Sequence, residues 1–207
     1  MAAPIDISET AGVRYLHFGS EWIQGAMRIR RPNALELMYT REMMAGLLLN
    51  GDDWPRSALL IGLGAGSLTR FMYHHCPQAR LRVVEIEPRV VAAATQFFRL
   101  PPPDERLAIA IDDGARYVLQ GDERFDYVLV DGFDRNARAG ALATLPFYQA
   151  VRARLSGRGL MSVNLFGRAR GFRASVERIT SAFDDRAIAF PSCDSGNVIA
   201  LAAAGEP

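Results

Sequence analysis

The chain has 207 residues, 49% of them hydrophobic and 23% charged, which is the size and makeup of one globular domain and excludes disorder, collagen and coiled coil. Its 24 basic residues stand against 23 acidic ones, a formal charge of +1, so the overall balance draws the chain toward neither nucleic acid nor an anionic membrane. Every basic residue is an arginine, which excludes any chemistry that needs a lysine: a P-loop, a pyridoxal Schiff base, a lysine nucleophile.

The N-terminal MAAPIDISET carries two acids and no apolar run, and no later stretch reaches the ~18 apolar residues of a membrane span. Cys76 and Cys193 lie far apart, outside any CxxC or zinc-type spacing. A soluble, unprocessed, cytoplasmic protein with reduced thiols is expected. Within residues 1–56, VRYLHF and EWIQGAMRI read as two strands of a hairpin. LELMYTREMMAGLLL follows, with apolar residues at helical spacing at Leu35, Met38, Tyr39, Gly46 and Leu47. This segment is too small to bury a core of its own. It is expected to lie as a lid or dimer contact over a second unit, residues 57–207.

From Ser57 onward, short apolar runs alternate with longer amphipathic stretches, as strands and helices of a parallel sheet do. The strand candidates are SALLIG, ARLRVVEI, RLAIAI, FDYVLVD and GLMSVNLF, nearly continuous in Val, Ile and Leu because helices must cover both faces. Helices are predicted at 67–75, 88–98, 113–120, 146–155 and 170–183. RAIAFP and GNVIALAA are too close for a crossover helix and should pair as an antiparallel hairpin. The result is an α/β fold, a mostly parallel seven-stranded sheet closed by an antiparallel pair. It resembles the class I AdoMet-dependent methyltransferase-like Rossmann fold.

LLIGLGAGSLTRF runs from an apolar strand through Gly62, Gly64 and Gly66 into a helix. Glycines there let the backbone approach a ligand, and the helix start offers unpaired N–H groups. A nicotinamide site would want glycine where Ser67 stands, so GxGxG favours an AdoMet-type nucleoside over a dinucleotide. The alternative is that the glycines simply turn a tight corner. Glu85 ends the next strand, where a carboxylate can accept from both ribose hydroxyls, whereas Glu87 before Pro88 reads as a helix start. In IDDGARYV, Asp113 can accept from an adenine amine while Asp112 reads as a helix cap. Asp131 and Asp134 follow the fourth strand, beside the reacting part of such a nucleoside. Paired carboxylates suit a cationic substrate: one accepts a proton from an attacking amine and the other holds a second ammonium. Both could instead be ordinary loop aspartates, one capping a turn.

QGAM, LELMYTREMM, IGLGAGS, VVEIEP, DDGARYV, VDGFD and PFY, in that order, resemble the spermidine synthase group of polyamine aminopropyltransferases over roughly residues 22 to 166. The resemblance implies transfer of an aminopropyl group from decarboxylated AdoMet to a diamine, a displacement at the carbon beside a sulfonium. It places Gly62 and Gly64 along the nucleoside, Glu85 on the ribose and Asp113 on the adenine. Asp131 becomes the general base, with Asp134 and Tyr39 on the amine substrate, and Gln24 matches a family glutamine near the active site. It also suggests a homodimer.

Several positions depart from the pattern. The family's GGGDGG loop has an acid for the donor's ammonium where this chain has Ala65. A Tyr-His-Glu triplet becomes Tyr39, Thr40, Arg41, and an Asp-Pro becomes Asp134 followed by Arg135. These changes and the short N-terminal strand segment suggest a compact bacterial subgroup whose acceptor need not be putrescine. An AdoMet-dependent small-molecule methyltransferase is the second reading, with AdoMet itself as donor, and a non-catalytic nucleoside-binding homologue the third. His74, His75 and Cys76 point about 100° apart on a helix, so no metal site is expected. Arg168, Arg170, Arg173 and Arg178 read as a solvated helix face rather than a nucleic-acid surface.

Overall fold

The computed structural model describes residues 4–20, 22–132 and 140–205. It opens with three antiparallel strands, β1 (Ile5–Thr10), β2 (Val13–Phe18) and β3 (Ile23–Arg28), followed by α1 (Met38–Met43) and a 3-10 turn over Ala45–Leu49. The alternating part then runs β4 (Ser57–Ile61), α2 (Ser67–His75), β5 (Arg80–Glu85), α3 (Pro88–Phe97), β6 (Leu107–Ile111), α4 (Gly114–Gln120) and β7 (Phe125–Val130). After a 3-10 turn at Gly140–Ala143 come α5 (Leu145–Ala153), β8 (Leu155–Phe166), α6 (Phe172–Ala182), β9 (Ala187–Ala189) and β10 (Asn197–Ala203).

The seven-stranded sheet has the order β6-β5-β4-β7-β8-β10-β9. β4 through β8 pair parallel, and β10 lies antiparallel between β8 and β9. Alternation along each strand sends side chains to opposite faces. Ala58, Leu60, Leu81, Val83 and Leu129 pack with α1, α2 and α3, while Leu59, Ile61, Val84, Val128 and Val130 pack with α4, α5 and α6. Strand order reverses between β4 and β7, and the crevice beyond the carboxyl ends of such a pair is where open α/β sheets bind ligands.

Two predicted elements differ from what formed. The expected hairpin is β2–β3, but β1 joins it as a third strand. IDISET has no continuous apolar run, because β1 lies half-covered with Ile5 and Ile7 toward the core and Asp6 and Ser8 away. The helical pattern over 35–49 becomes one short α-helix and a 3-10 turn. At Gly46 the Tyr127 ring presses on the backbone, and a Cβ there would sit 2.7 Å from the Tyr127 hydroxyl oxygen. That hydroxyl donates to the Met43 carbonyl, so the tyrosine occupies the space into which a regular helix would continue.

Arg70 on α2 ties the alternating part to the segment that follows β3. It is fully buried, donating Nε to the Pro32 carbonyl at 2.9 Å and Nη1 to the carbonyls of Ala65 and Phe98. Burial pulls its pKa down to about 10, which leaves it charged at neutral pH. Arg70→Met keeps much of the stem and removes every donor. Equilibrium urea unfolding should show a loss of ~2–4 kcal/mol, and an unchanged midpoint would mean those carbonyls find other donors. Among the described residues no helix is long and apolar enough to cross a membrane.

Candidate active site

The glycine loop is built by contacts as much as by conformation. Gly62 has φ +92°, and a Cβ there would stand 2.2 Å from the Asp131 carbonyl oxygen, since β4 and β7 come together at their carboxyl ends. Any side chain would push Asp131 out of place. Gly64, at φ +51°, lies 3.3 Å in the same sense from the Gln24 carbonyl of β3. Gly66 differs from the sequence expectation: it is the left-handed N-cap of α2, packed against Leu100 and Arg70 rather than along the cleft wall.

Gly62 and Gly64 line a cleft of about 890 Å³ together with Gln24, Tyr39, Glu85, Asp113 and Asp131. Seven of the nine site residues expected from sequence are therefore brought to one cavity. Asp134 lies outside the described residues. The N-terminal strands form one side of the cleft through Phe18, Trp22, Ile23 and Gln24.

Glu85 is buried at the end of β5. Its Oε2 accepts from the Leu63 N–H and its Oε1 from the Glu87 N–H, both at 2.9 Å. Burial pushes its pKa up, and the backbone N–H groups of Leu63, Glu87 and Ile86 pull the other way. The carboxylate thus holds the glycine loop to the second strand and keeps lone pairs for a ligand in the cleft. Glu87 is the N-cap of α3, accepting from the Arg89 N–H at 3.1 Å, and the Arg89 guanidinium holds it at about 2. The helix-start reading of Glu87 agrees with this.

The helix-cap reading of Asp112 needs correction. Asp113, not Asp112, caps α4, its Oδ1 accepting from the Arg116 N–H at 2.9 Å. Asp112 instead accepts from the Arg116 guanidinium and from the Asp113 N–H. The two carboxylates are adjacent, and only the turn geometry decides which one reaches back over the helix start. Asp113 still lines the cleft. Gly114 is required beside it, because a Cβ would meet the Ile61 side chain at 2.3 Å.

Asp131 is held through both of its carboxylate oxygens. Its Oδ1 accepts from the Asn164 amide at 2.8 Å and its Oδ2 from the Tyr39 hydroxyl at 3.2 Å. Burial raises its pKa, and these two donors offset part of that rise. Tyr39 is pushed well above the ordinary tyrosine range by burial and by the neighbouring carboxylate, so it stays a hydrogen-bond donor at neutral pH.

Asn164, Phe166, Ser195, Asn197 and Trp22 also line the cleft and were not read from the sequence. Asn164 offered a signal: a polar residue inside MSVNLF, on a strand covered from both sides, must find a partner. Trp22 is 56% exposed, with its ring 5.6 Å from that of Phe166 at the cleft. The His74–Cys76 run does not converge: Cys76 is buried in the core, while His75 stacks on Phe71 and His74 meets Tyr73.

Residues 36–165 match the spermine/spermidine synthase domain. The chain belongs to the spermine/spermidine synthase family. A polyamine aminopropyltransferase of Chromobacterium violaceum is 38% identical over 96% of this chain and 75% of its own length. Among solved structures, a probable spermidine synthase from Corynebacterium glutamicum superposes with a TM-score of 0.82 at 20% identity, covering 98% of this chain and 77% of that one. Human methyltransferase-like protein 13, in complex with SAH, gives 0.73 at 24% identity, over 83% of this chain and 84% of that one. Fold and family are thus those of an aminopropyltransferase-like enzyme built on the methyltransferase-type sheet.

Proposed function

We propose that this protein transfers an aminopropyl group from decarboxylated AdoMet to an amine, with Asp131 as general base. The observation that carries the reading is the placement of a buried, doubly hydrogen-bonded aspartate at the β4/β7 crossover, in one cleft with Glu85 and Asp113. Glu85 accepts from the ribose hydroxyls and Asp113 from the adenine amine, while Gly62 and Gly64 let the nucleoside lie against the backbone. Tyr39 and Gln24, which line the same cleft, face the amine. The N-terminal strands cover the reaction and limit water in the cleft.

The chemistry is a displacement at carbon. The acceptor nitrogen forms a bond to the aminopropyl carbon beside the sulfonium. The carbon–sulfur bond breaks with its electron pair returning to sulfur, which leaves neutral methylthioadenosine. Asp131 takes the proton that the nitrogen loses. The Asn164 and Tyr39 donors favour its ionised form against the effect of burial and fix the direction of its free lone pairs.

One observation favours the second reading, an AdoMet-dependent methyltransferase. Ala65 is 2% exposed and lies beneath Gly25 of β3, where a Cβ on Gly25 would stand 2.5 Å from that of Ala65. The close packing of Ala65 on Gly25 leaves position 65 with no carboxylate to offer a donor's ammonium. Calorimetry separates the two readings: decarboxylated AdoMet should bind at least tenfold tighter than AdoMet, and with a diamine it should yield methylthioadenosine. The reverse affinity order, or no methylthioadenosine from any amine, would hand the site to methyl transfer.

A further inference from the structure

The hydrogen bond to Asp131 Oδ1 is the last link of a chain. The Ser195 hydroxyl donates to Asn197 Oδ1 at 2.6 Å, the Asn197 amide donates to Asn164 Oδ1 at 2.9 Å, and the Asn164 amide donates to Asp131 Oδ1 at 2.8 Å. Asn164 is 4% exposed on β8, and Asn197 opens β10, the antiparallel neighbour of β8. We propose that Asn164 and Asn197 are positioning residues for Asp131, an oriented pair of amides that delivers an N–H to its Oδ1 and fixes which side of the carboxylate is open to substrate.

The direction of the chain is the argument. An amide has one carbonyl and one NH₂ end, so the partner at one end decides what it presents at the other. Asn197 occupies the Asn164 carbonyl with an N–H, which leaves the Asn164 NH₂ to face Asp131. If Asn164 turned over, two oxygens would oppose each other beside a buried carboxylate, and Asn197 would lose its acceptor. Reversing all three links would require Asp131 to donate, which only the protonated acid can do. The observed polarity therefore suits the ionised base, and burial is the effect it works against.

Among the described residues, the ionisable groups that share this cleft with Asp131 are Tyr39 from α1, Glu85 at the end of β5, Asp113 before α4 and Arg168 after β8. The Cys193 thiol of the β9–β10 loop acts on Tyr39 and donates to the Asn197 carbonyl at 3.3 Å. None of these touches Asp131 Oδ1, so the pair of amides can be varied without changing the charges around it.

The proposal rests on Asp131 being the base, but its test does not need turnover. Carbon-13 NMR titration of aspartate carboxyls in the free, full-length protein reads the Asp131 midpoint, identified as the resonance lost in Asp131→Asn. Asn164→Leu should raise that midpoint by about one pH unit or more, and Asn197→Leu should raise it by less. The double variant should match Asn164→Leu alone, because Asn197 acts through Asn164. If Asn164→Leu does not fold, Asn197→Leu alone still decides. A midpoint left in place by Asn197→Leu, or additive shifts in the double variant, would overturn the proposal. If the shifts occur in a protein that yields no methylthioadenosine, the transfer reading fails and the positioning role stands.

Discussion

Asp131→Asn is expected to lower turnover ~10²–10⁴-fold while leaving methylthioadenosine affinity within about twofold, the signature of a lost general base. The introduced amide fits the same place. Its oxygen can accept from Asn164 and its NH₂ can donate to the Tyr39 hydroxyl, so the cleft keeps its shape. Two pH dependences follow from burial raising the carboxyl above its ordinary 3.8. In the wild type, turnover should rise with pH through a midpoint above that value, because only the ionised form accepts a proton. Stability runs the other way. The native state holds the Asp131 proton more tightly than the unfolded chain does, so the associated stabilisation is complete below the unfolded value and disappears as pH rises through the folded one. The amide does not titrate. The substituted protein should therefore gain on the wild type in thermal unfolding from about pH 4 upward. Turnover equal to the wild type, with donor bound, would remove Asp131 from the chemistry.

The alternating part of the fold was legible because buried parallel strands write themselves as apolar runs, as in SALLIG and FDYVLVD, and glycine marks the turn between strand and helix. The cleft was legible for the same reason: topology puts Gly62, Glu85, Asp113 and Asp131 at the carboxyl ends of neighbouring strands. Three things were not legible. β1 is half-covered and lacks a continuous apolar run. The break after α1 depends on Tyr127, which lies far along the chain and fills the space beside Gly46. Asn164 and Asn197 belong to strands whose pairing fixes their contact, and a local pattern does not reveal that one amide will face another across β8 and β10. The loop glycines had two readings at the outset, ligand approach and a tight strand-to-helix corner. At Gly62, φ of +92° and the lack of room for a Cβ against Asp131 are what a tight corner requires, and its place on the cleft wall is what a ligand would use.

Glu85→Gln separates two jobs held by one side chain. Each carboxylate oxygen now accepts one backbone N–H, from Leu63 and from Glu87. An amide of the same shape can serve one of them with its oxygen, but its NH₂ must then face the other N–H in a buried site. A lost hydrogen bond to a charged acceptor and a buried donor left without a partner together cost about 2–4 kcal/mol. If Glu85 also receives the ribose hydroxyls, the neutral amide is a weaker acceptor for them than the carboxylate, and methylthioadenosine affinity should fall on the order of 10²-fold. The pH dependence gives an independent reading. Burial raises the Glu85 carboxyl above its ordinary 4.5, so wild-type affinity should climb with pH as the carboxylate ionises, and the amide variant should lack that climb. A variant that unfolds more easily yet binds the nucleoside as tightly as the wild type would make Glu85 an anchor for the glycine loop alone. The ribose would then need another acceptor in the cleft, and Asp113, whose Oδ1 is committed to the Arg116 N–H, would have to supply it from its second oxygen.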